Sequence, residues 1–186
     1  RIREGEIIMA LDGIYLNFLV ASANEFLAGA KVDKIHQPSK NELVFIMRTR
    51  GGMHKLYFSA DANSPRFAVV NSVPENPQTP PMLCMLFRKR LVGATLVSVE
   101  QYGLDRIAFF NFDATNEIGD RVKLTLAVEI MAQHSNVILF NEENRIVGNW
   151  SIVALTDESF QAAMNGELLE KDINLAISLK LKTLLE

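Results

Sequence analysis

Short stretches of alternating apolar and polar residues, separated by tight turns, constrain the fold of this chain more than any other feature. The clearest stretch is Arg121 to Met131 (RVKLTLAVEIM), in which every second residue from Val122 to Val128 is apolar. Such alternation places these side chains on one face of a β-strand. Turn sequences at Arg50 to Gly52 and at Asn116 to Asp120 separate neighbouring stretches. Strands of this length and spacing are typical of a largely antiparallel β-sandwich or barrel.

Two helices are predicted among the strands, which makes the fold α+β, a mostly antiparallel sandwich or barrel with flanking helices. The first helix covers Leu11 to Ala28, with Asp12 as N-cap and Gly29 as terminator. Its apolar residues near helical spacing are Tyr15, Phe18, Leu19, Phe26 and Leu27. The predicted strands are Lys31 to Gln37, Glu42 to Arg48, His54 to Ala60, Arg66 to Val70, Thr95 to Glu100, Arg106 to Phe112, Arg121 to Met131, Val137 to Phe140 and Arg145 to Val147.

The second predicted helix, Met82 to Leu91 (MLCMLFRKRL), follows a proline-rich loop and has one apolar and one basic face. Pro81 suits the first turn of a helix. The side chains that we expect to face the core are Met82, Leu83, Met85 and Leu86. Cys84 lies in the same apolar run, and a small buried hydrophobe is the favoured interpretation.

Composition bounds the domain organisation and the compartment. The chain has 186 residues, 48% hydrophobic and 22% charged, with one cysteine and a net charge of −3. One cysteine cannot form an internal disulfide framework, and we expect a cytoplasmic protein with no membrane segment. We divide the chain into an N-terminal extension (1–8), a β-sandwich domain (9–150) and a C-terminal helical segment (151–186). Short helices are expected at 159–164 and 171–185, and the chain is interpreted as a fragment.

No pattern in the chain predicts an enzyme, a cofactor or a metal site. Phosphate-binding glycine loops and nucleophile motifs are missing from the sequence, and the three histidines, His36, His54 and His134, lack metal-ligand spacing. His134 could pair with Glu129 as a general base, but a hydrogen bond within a turn is the favoured role.

Binding is better supported, and three groups of residues could carry it. They are the basic helix end Arg88 to Arg90, the pair Asp105-Arg106 at a turn before a strand, and the polar segment Gln133 to Asn136. For the helix end, anion binding and a solvated, dipole-matched terminus are equally compatible with the sequence. Asp105 and Arg106 could form a surface ion pair worth about 0–1 kcal/mol, or they could be presented together to a partner. The net charge argues against a nonspecific nucleic-acid coat but leaves room for a local basic patch.

Several ordered motifs resemble the N-terminal (NFACT-N) domain of the fibronectin-binding protein A / RqcH family, which contains ribosome-associated quality-control factors and whose eukaryotic relative is the nuclear export mediator factor. The motifs are MALDGIYL at Met9 to Leu16, KIHQPSKNELVF at Lys34 to Phe45, PPMLCMLFRKRL at Pro80 to Leu91, QYGLDRI at Gln101 to Ile107, NEIGD at Asn116 to Asp120 and EIMAQHSNVIL at Glu129 to Leu139.

The resemblance implies a fold similar to the N-terminal domain of formamidopyrimidine-DNA glycosylases. It implies a factor that binds large ribosomal subunits blocked by peptidyl-tRNA, the contact being made by regions outside this chain, and that recruits tRNA, alanyl-tRNA in bacteria, for message-free tailing of stalled chains. The residues expected to bind tRNA are Asp105, Arg106, Glu129, Ile130, Met131, Arg88, Lys89, His134 and Asn136.

The chain departs from the family where Ala132 and Gln133 stand in place of the usual Gly and Arg, which removes one candidate phosphate contact. Two other functions were weighed. An adhesin that binds fibronectin is suggested by the family name, but no signal peptide, anchor or disulfide supports it. A DNA glycosylase would need an N-terminal proline amine, which neither Arg1 nor Ala10 supplies.

Overall fold

A computed structural model of the chain describes residues 12–131 and 134–149, and this part contains two helices and nine strands. The predicted extension at 1–8 and the predicted C-terminal helices lie outside the described residues. The elements are α1 (Gly13–Leu27), β1 (Lys31–His36), β2 (Glu42–Thr49), β3 (Gly52–Ser59), β4 (Arg66–Val70), α2 (Met82–Leu91), β5 (Thr95–Gln101), β6 (Ile107–Thr115), β7 (Arg121–Glu129), β8 (Asn136–Asn141) and β9 (Ile146–Asn149).

The nine strands form one hydrogen-bonded series in the order β4-β3-β2-β1-β5-β6-β7-β8-β9, and the neighbours are antiparallel. The series bends at β1 and β5, which share a single paired position, Lys31 with Thr95. Aromatic rings from non-neighbouring strands then meet: Phe58 of β3 lies 5.3 Å from Phe110 of β6 between ring centroids. The contact requires β1–β4 to face β5–β9, so the predicted sandwich is confirmed.

The core between the two halves is filled by the alternating residues that the sequence identified. Along β7, Leu124, Leu126 and Val128 are buried, and Val122 packs against the same cluster. Phe67 of β4 meets Phe110 edge to face at 5.1 Å between centroids. Edge-to-face pairs of this kind stabilise a core by about 0.5–1.5 kcal/mol beyond their buried area.

Strand β1 contains a bulge, which accounts for its loose alternation in the sequence. Val32 and Ile35 are both buried although they are three residues apart. The pairing with β2 shifts between Val32 and Lys34, so that one extra residue restores Ile35 to the core face.

Helix α1 packs on β5 and β4, and it begins as predicted, because the Asp12 carboxylate accepts a hydrogen bond of 2.8 Å from the Tyr15 amide. The aromatic residues whose spacing predicted this helix do not form the face that packs on the sheet. Tyr15, Phe18 and Phe26 are exposed. The residues that α1 buries are Leu16, Val20, Ala23 and Leu27.

Helix α2 packs on β1, β6 and β9 and corrects one expectation about its buried face. Met85 was expected to point inward, but it is 42% exposed, whereas Cys84 and Phe87 are fully buried. The Cys84 thiol donates to the Ile35 carbonyl at 3.4 Å, and burial raises its pKa. The prediction that this cysteine is a buried hydrophobe is therefore confirmed. Within the described residues, neither α1 nor α2 is long and apolar enough to cross a membrane.

Candidate nucleic-acid interface

Strand register brings most of the predicted site residues to one end of the sandwich. Asp105 and Arg106 lie directly before β6, whose first residue, Ile107, is paired with Glu129 of β7. Glu129 is paired in turn with Asn136 of β8. We call this the Asp105 end, made up of Asp105, Arg106, Glu129, Ile130, Met131, His134 and Asn136.

The turn that presents Asp105 and Arg106 is fixed on both sides. Within the turn, the Asp105 amide donates to the Tyr102 carbonyl at 3.0 Å. On one side, the Ile130 amide donates to the Arg106 carbonyl at 2.9 Å. On the other side, the Gln101 side-chain amide donates to the Asp105 carbonyl at 2.9 Å and to the Gly13 carbonyl at 2.7 Å, which ties the turn to the start of α1.

Gly13 lies so close to the turn that no side chain fits there. A β-carbon built on Gly13 would lie 1.7 Å from the Leu104 carbonyl oxygen, which belongs to the backbone. No motif in the sequence predicts a role for Gly13 or Gln101. One signal in the sequence could have revealed this contact between Gly13 and the Leu104 backbone. Gly13 directly follows the N-cap of α1, at a position where other residues are better helix formers.

The side chains of Asp105 and Arg106 differ in their exposure. Asp105 is partly buried and Arg106 is exposed. Among the described residues, no ion pair joins the two, and the Arg106 guanidinium has no hydrogen-bond partner. Of the two alternatives that the sequence left open, mutual neutralisation therefore does not describe this structure.

Three of the predicted site residues lie beneath the surface of the Asp105 end. Glu129 is 1% exposed, Ile130 2% and Asn136 7%. Asn136 accepts a hydrogen bond of 2.9 Å from the amide of Val137. These three side chains therefore lie beneath the exposed surface, and the contact that joins them to the turn is the hydrogen bond from the Ile130 amide to the Arg106 carbonyl.

The segment after β7 brings two further candidate residues to the surface of the same end. Met131 is partly buried, and its amide donates to the Ser135 hydroxyl at 2.9 Å. His134 is exposed, and its backbone amide donates to the Met131 carbonyl at 2.9 Å. The departures Ala132 and Gln133 lie outside the described residues.

The basic end of α2 lies at the opposite end of the sandwich, and its residues take separate partners. Arg88 donates through Nε to the Ile35 carbonyl of β1 at 2.7 Å. Lys89 pairs with Glu117, in the turn between β6 and β7, at 2.7 Å between Nζ and Oε1. The hydrogen bond and the charge of Lys89 lower the pKa of Glu117. Because β6 has nine residues that rise about 3.3 Å each, this turn lies about 30 Å from Arg106. The structure therefore separates Arg88 and Lys89 from the Asp105 end.

No cluster of three or more His, Cys, Asp or Glu side chains that could hold a metal ion occurs within residues 12–131 and 134–149. The group that the Asp105 end exposes to a ligand is the Arg106 guanidinium, on a turn held by backbone and Gln101 hydrogen bonds.

The fold and these motifs define a known class of domain. Residues 12–167 match the family described as NFACT N-terminal and middle domains, and the chain belongs to that family. The Rqc2 homolog RqcH of Bacillus subtilis (strain 168) is 38% identical over 160 residues, covering 86% of this chain and 28% of that protein. The chain thus spans little more than a quarter of the length of this relative.

Two solved structures share the fold. The N-terminal domain of the fibronectin-binding protein PavA from Streptococcus pneumoniae superimposes with a TM-score of 0.74 at 34% identity, covering 80% of this chain and 57% of that one. The N-terminal part of the fibronectin/fibrinogen-binding protein FBPS from Streptococcus suis gives 0.72 at 36% identity, covering 75% of this chain and 52% of that one.

Proposed function

We propose that this chain is the tRNA-binding domain of a cytoplasmic ribosome-associated quality-control factor. In this proposal the whole factor binds large ribosomal subunits that still hold peptidyl-tRNA, recruits alanyl-tRNA and supports message-free C-terminal tailing of the stalled chain. We assign the grip on the subunit to parts of such proteins outside the matched stretch. The domain itself acts by binding, with no cofactor and no catalytic step.

The observation that carries the proposal is the exposed Arg106 guanidinium on a turn that is braced from two sides. Hydrogen bonds from Gln101 and from the Ile130 amide hold the backbone of this turn. A guanidinium held in this way can donate two parallel hydrogen bonds to a phosphate at little further entropic cost. The Asp105 carboxylate beside it can accept from a nucleotide amino group or from a ribose 2′-hydroxyl, which only RNA provides.

The buried residues of the same end explain how a short motif could matter without touching RNA. Glu129 and Asn136 are paired across β7 and β8, and Ile130 bonds directly to the backbone of Arg106. In this proposal, these residues fix the position and orientation of the turn that carries Arg106.

The test is tRNA binding by the 186-residue chain across a salt series, with Arg106→Ala as the variant. Loss of one phosphate contact should reduce the slope of log affinity against log salt by about 0.7–0.9 and weaken binding at low salt. Arg50→Ala is the matched control, because Arg50 is an exposed arginine at the tip of the β2–β3 turn and carries the same charge. An equal effect of the two substitutions would show a nonspecific charge effect and would reject the assignment to the Asp105 end.

An adhesin function is the second candidate, because two solved structures that share the fold carry fibronectin-binding names. If this function is the primary one, the native protein should be found intact on washed, unlysed cells. The purified chain should also bind immobilised fibronectin as tightly after Arg106→Ala as before it.

A further inference from the structure

A cleft opens where β1 separates from β5, at the end of the sandwich opposite Asp105. The two strands stay together only at the corner, where the Val32 amide donates to the Ala94 carbonyl and the Gly93 amide to the Val32 carbonyl, both at 2.8 Å. Beyond Val32 the strands part, and the space between β1 and α2 has a volume of about 460 Å³. The residues that line it are Asp33, Lys34, Ile35, His36, Arg88 and Val92.

The guanidinium of Arg88 is oriented within this cleft but is not saturated. Its Nε donates to the Ile35 carbonyl at 2.7 Å, which fixes the plane of the group. Among the described residues, neither Nη atom has an acceptor within hydrogen-bond distance. A guanidinium carries five donors in a rigid fork, so four N–H groups stay available on a side chain that the backbone already holds.

The charge of the cleft is not balanced by its own carboxylate. Asp33 is the acidic lining residue, against the cations Lys34 and Arg88. The pKa of His36 is lowered by burial, by the charge of Arg88 and by that of Lys34, in that order. Burial is the largest of these causes, and the charges of Arg88 and Lys34 add to it.

We propose that this cleft binds a phosphate group of an RNA backbone, with Arg88 donating through its Nη atoms and Lys34 supplying a second positive charge. The inference rests on the proposed RNA-binding function and adds a contact surface separate from the Asp105 end.

The position of the cleft favours a long polyanion over a small anion as the ligand. Strands β1 and β5 are antiparallel and meet at Lys31 and Thr95, so β1 runs from this corner away from the end that holds Asp105. The seven residues of β5 alone span about 23 Å. A folded RNA can contact both ends of the sandwich at once. Because the two phosphate contacts then belong to one RNA molecule, the second contact raises the affinity of the complex.

The test combines Lys34→Gln with a titration of His36. Lys34 is exposed and its side chain makes no hydrogen bond within residues 12–131 and 134–149, so its replacement should leave the fold intact, whereas the Arg88 side chain also holds the backbone of β1. For tRNA binding, Lys34→Gln should reduce the salt slope by about one. Combined with Arg106→Ala it should reduce the slope by about two, because the sites are too distant to share a phosphate. Lys123→Gln is the control, since Lys123 lies outside the cleft and its side chain is 71% exposed.

The His36 titration, followed by its ring proton resonances, distinguishes the ligands. A phosphate in the cleft should offset the field of Arg88 and Lys34, so saturating tRNA should raise the His36 pKa, and Lys34→Gln should diminish the rise. An unchanged His36 pKa, with tRNA binding still sensitive to Arg106→Ala, would overturn this inference and leave the proposed function standing. A response to inorganic phosphate but not to tRNA would overturn the RNA assignment. A tRNA affinity that is unaffected by Arg106→Ala, with the His36 response retained, would support the cleft and reject the Asp105 end.

Discussion

Replacing Gly13 by alanine is a sharp test of how the Asp105 end is built. The new β-carbon would lie 1.7 Å from the Leu104 carbonyl oxygen, whereas ordinary contact begins at 3.4 Å, so the two backbones must separate by about 1.7 Å. Such a movement would break the bridge that the Gln101 amide forms between the Gly13 and Asp105 carbonyls.

The magnitude follows from three terms. Forced overpacking costs about 1–3 kcal/mol, and loss of the two hydrogen bonds of Gln101 costs about 1 kcal/mol each. Alanine returns about 1 kcal/mol of helix propensity to α1. The net expectation is a loss of about 2–4 kcal/mol in the free energy of unfolding, which for a chain of this size lowers Tm by about 4–16 °C.

The assay is urea and thermal unfolding of Gly13→Ala beside Gly51→Ala. Gly51 lies in the β2–β3 turn, where an added β-carbon meets only the Thr49 hydroxyl oxygen, at 3.7 Å. We expect the control to stay within about 0.5 kcal/mol of the unsubstituted chain. If Gly13→Ala were as stable as Gly51→Ala, the close approach of α1 to the turn would be refuted. The shifted turn should also weaken tRNA binding although Arg106 is unchanged.

Two further predictions concern the core and the cleft. Phe110→Ala should lower the free energy of unfolding by about 3–5 kcal/mol in urea denaturation, because its fully buried ring meets Phe58 from the opposite half of the sandwich; a loss below 1 kcal/mol would contradict the packing. His36 has a pKa below that of the unfolded chain, owing to burial, Arg88 and Lys34. Because the unfolded chain then binds the proton more readily, stability should decline as pH falls through about 6.5 towards the folded pKa. His36→Gln should remove this part of the decline, and an identical pH profile would count against the lowered pKa of His36.

The strands were predictable from the sequence because each exposes one face to the core. In β7 every second residue from Val122 to Val128 is apolar, and a shift of one residue would turn the whole set to the other side. The turns at Gly52 and Gly103 have positive φ angles, 134° and 56°, which favour glycine over other residues. Local sequence therefore specifies both the strands and their connections.

Helix faces were predicted less well, because both helices carry more apolar residues than the sheet covers. Helix α1 offers two apolar stripes, and the aromatic one, with Phe18 and Phe26, is left exposed while Leu16 and Val20 are buried. Periodicity identifies a helix and its possible faces. Which face is buried depends on the position of β4 and β5, and that position is set by pairing between distant strands.

The candidate site illustrates the same limit. Sequence spacing could place Asp105 beside Arg106 at a turn, but it could not show whether the pair neutralises itself. It also could not show that Arg88 lies at the far end of the sandwich, because that separation follows from the antiparallel course of β1 and β5.

The distribution of exposed and buried residues at the Asp105 end also determines how substitutions there should be interpreted. Glu129 and Asn136 form one rung of the β7–β8 ladder, and the next residue, Ile130, donates to the Arg106 carbonyl. A substitution of Glu129 or Asn136 therefore changes the strand ends that support the Arg106 turn, and it should alter stability and RNA affinity together. A substitution of the exposed Arg106 side chain should alter affinity with stability unchanged, because no described residue depends on it. The two classes of variant separate residues that contact the ligand from residues that position them, a distinction that the linear motif does not contain.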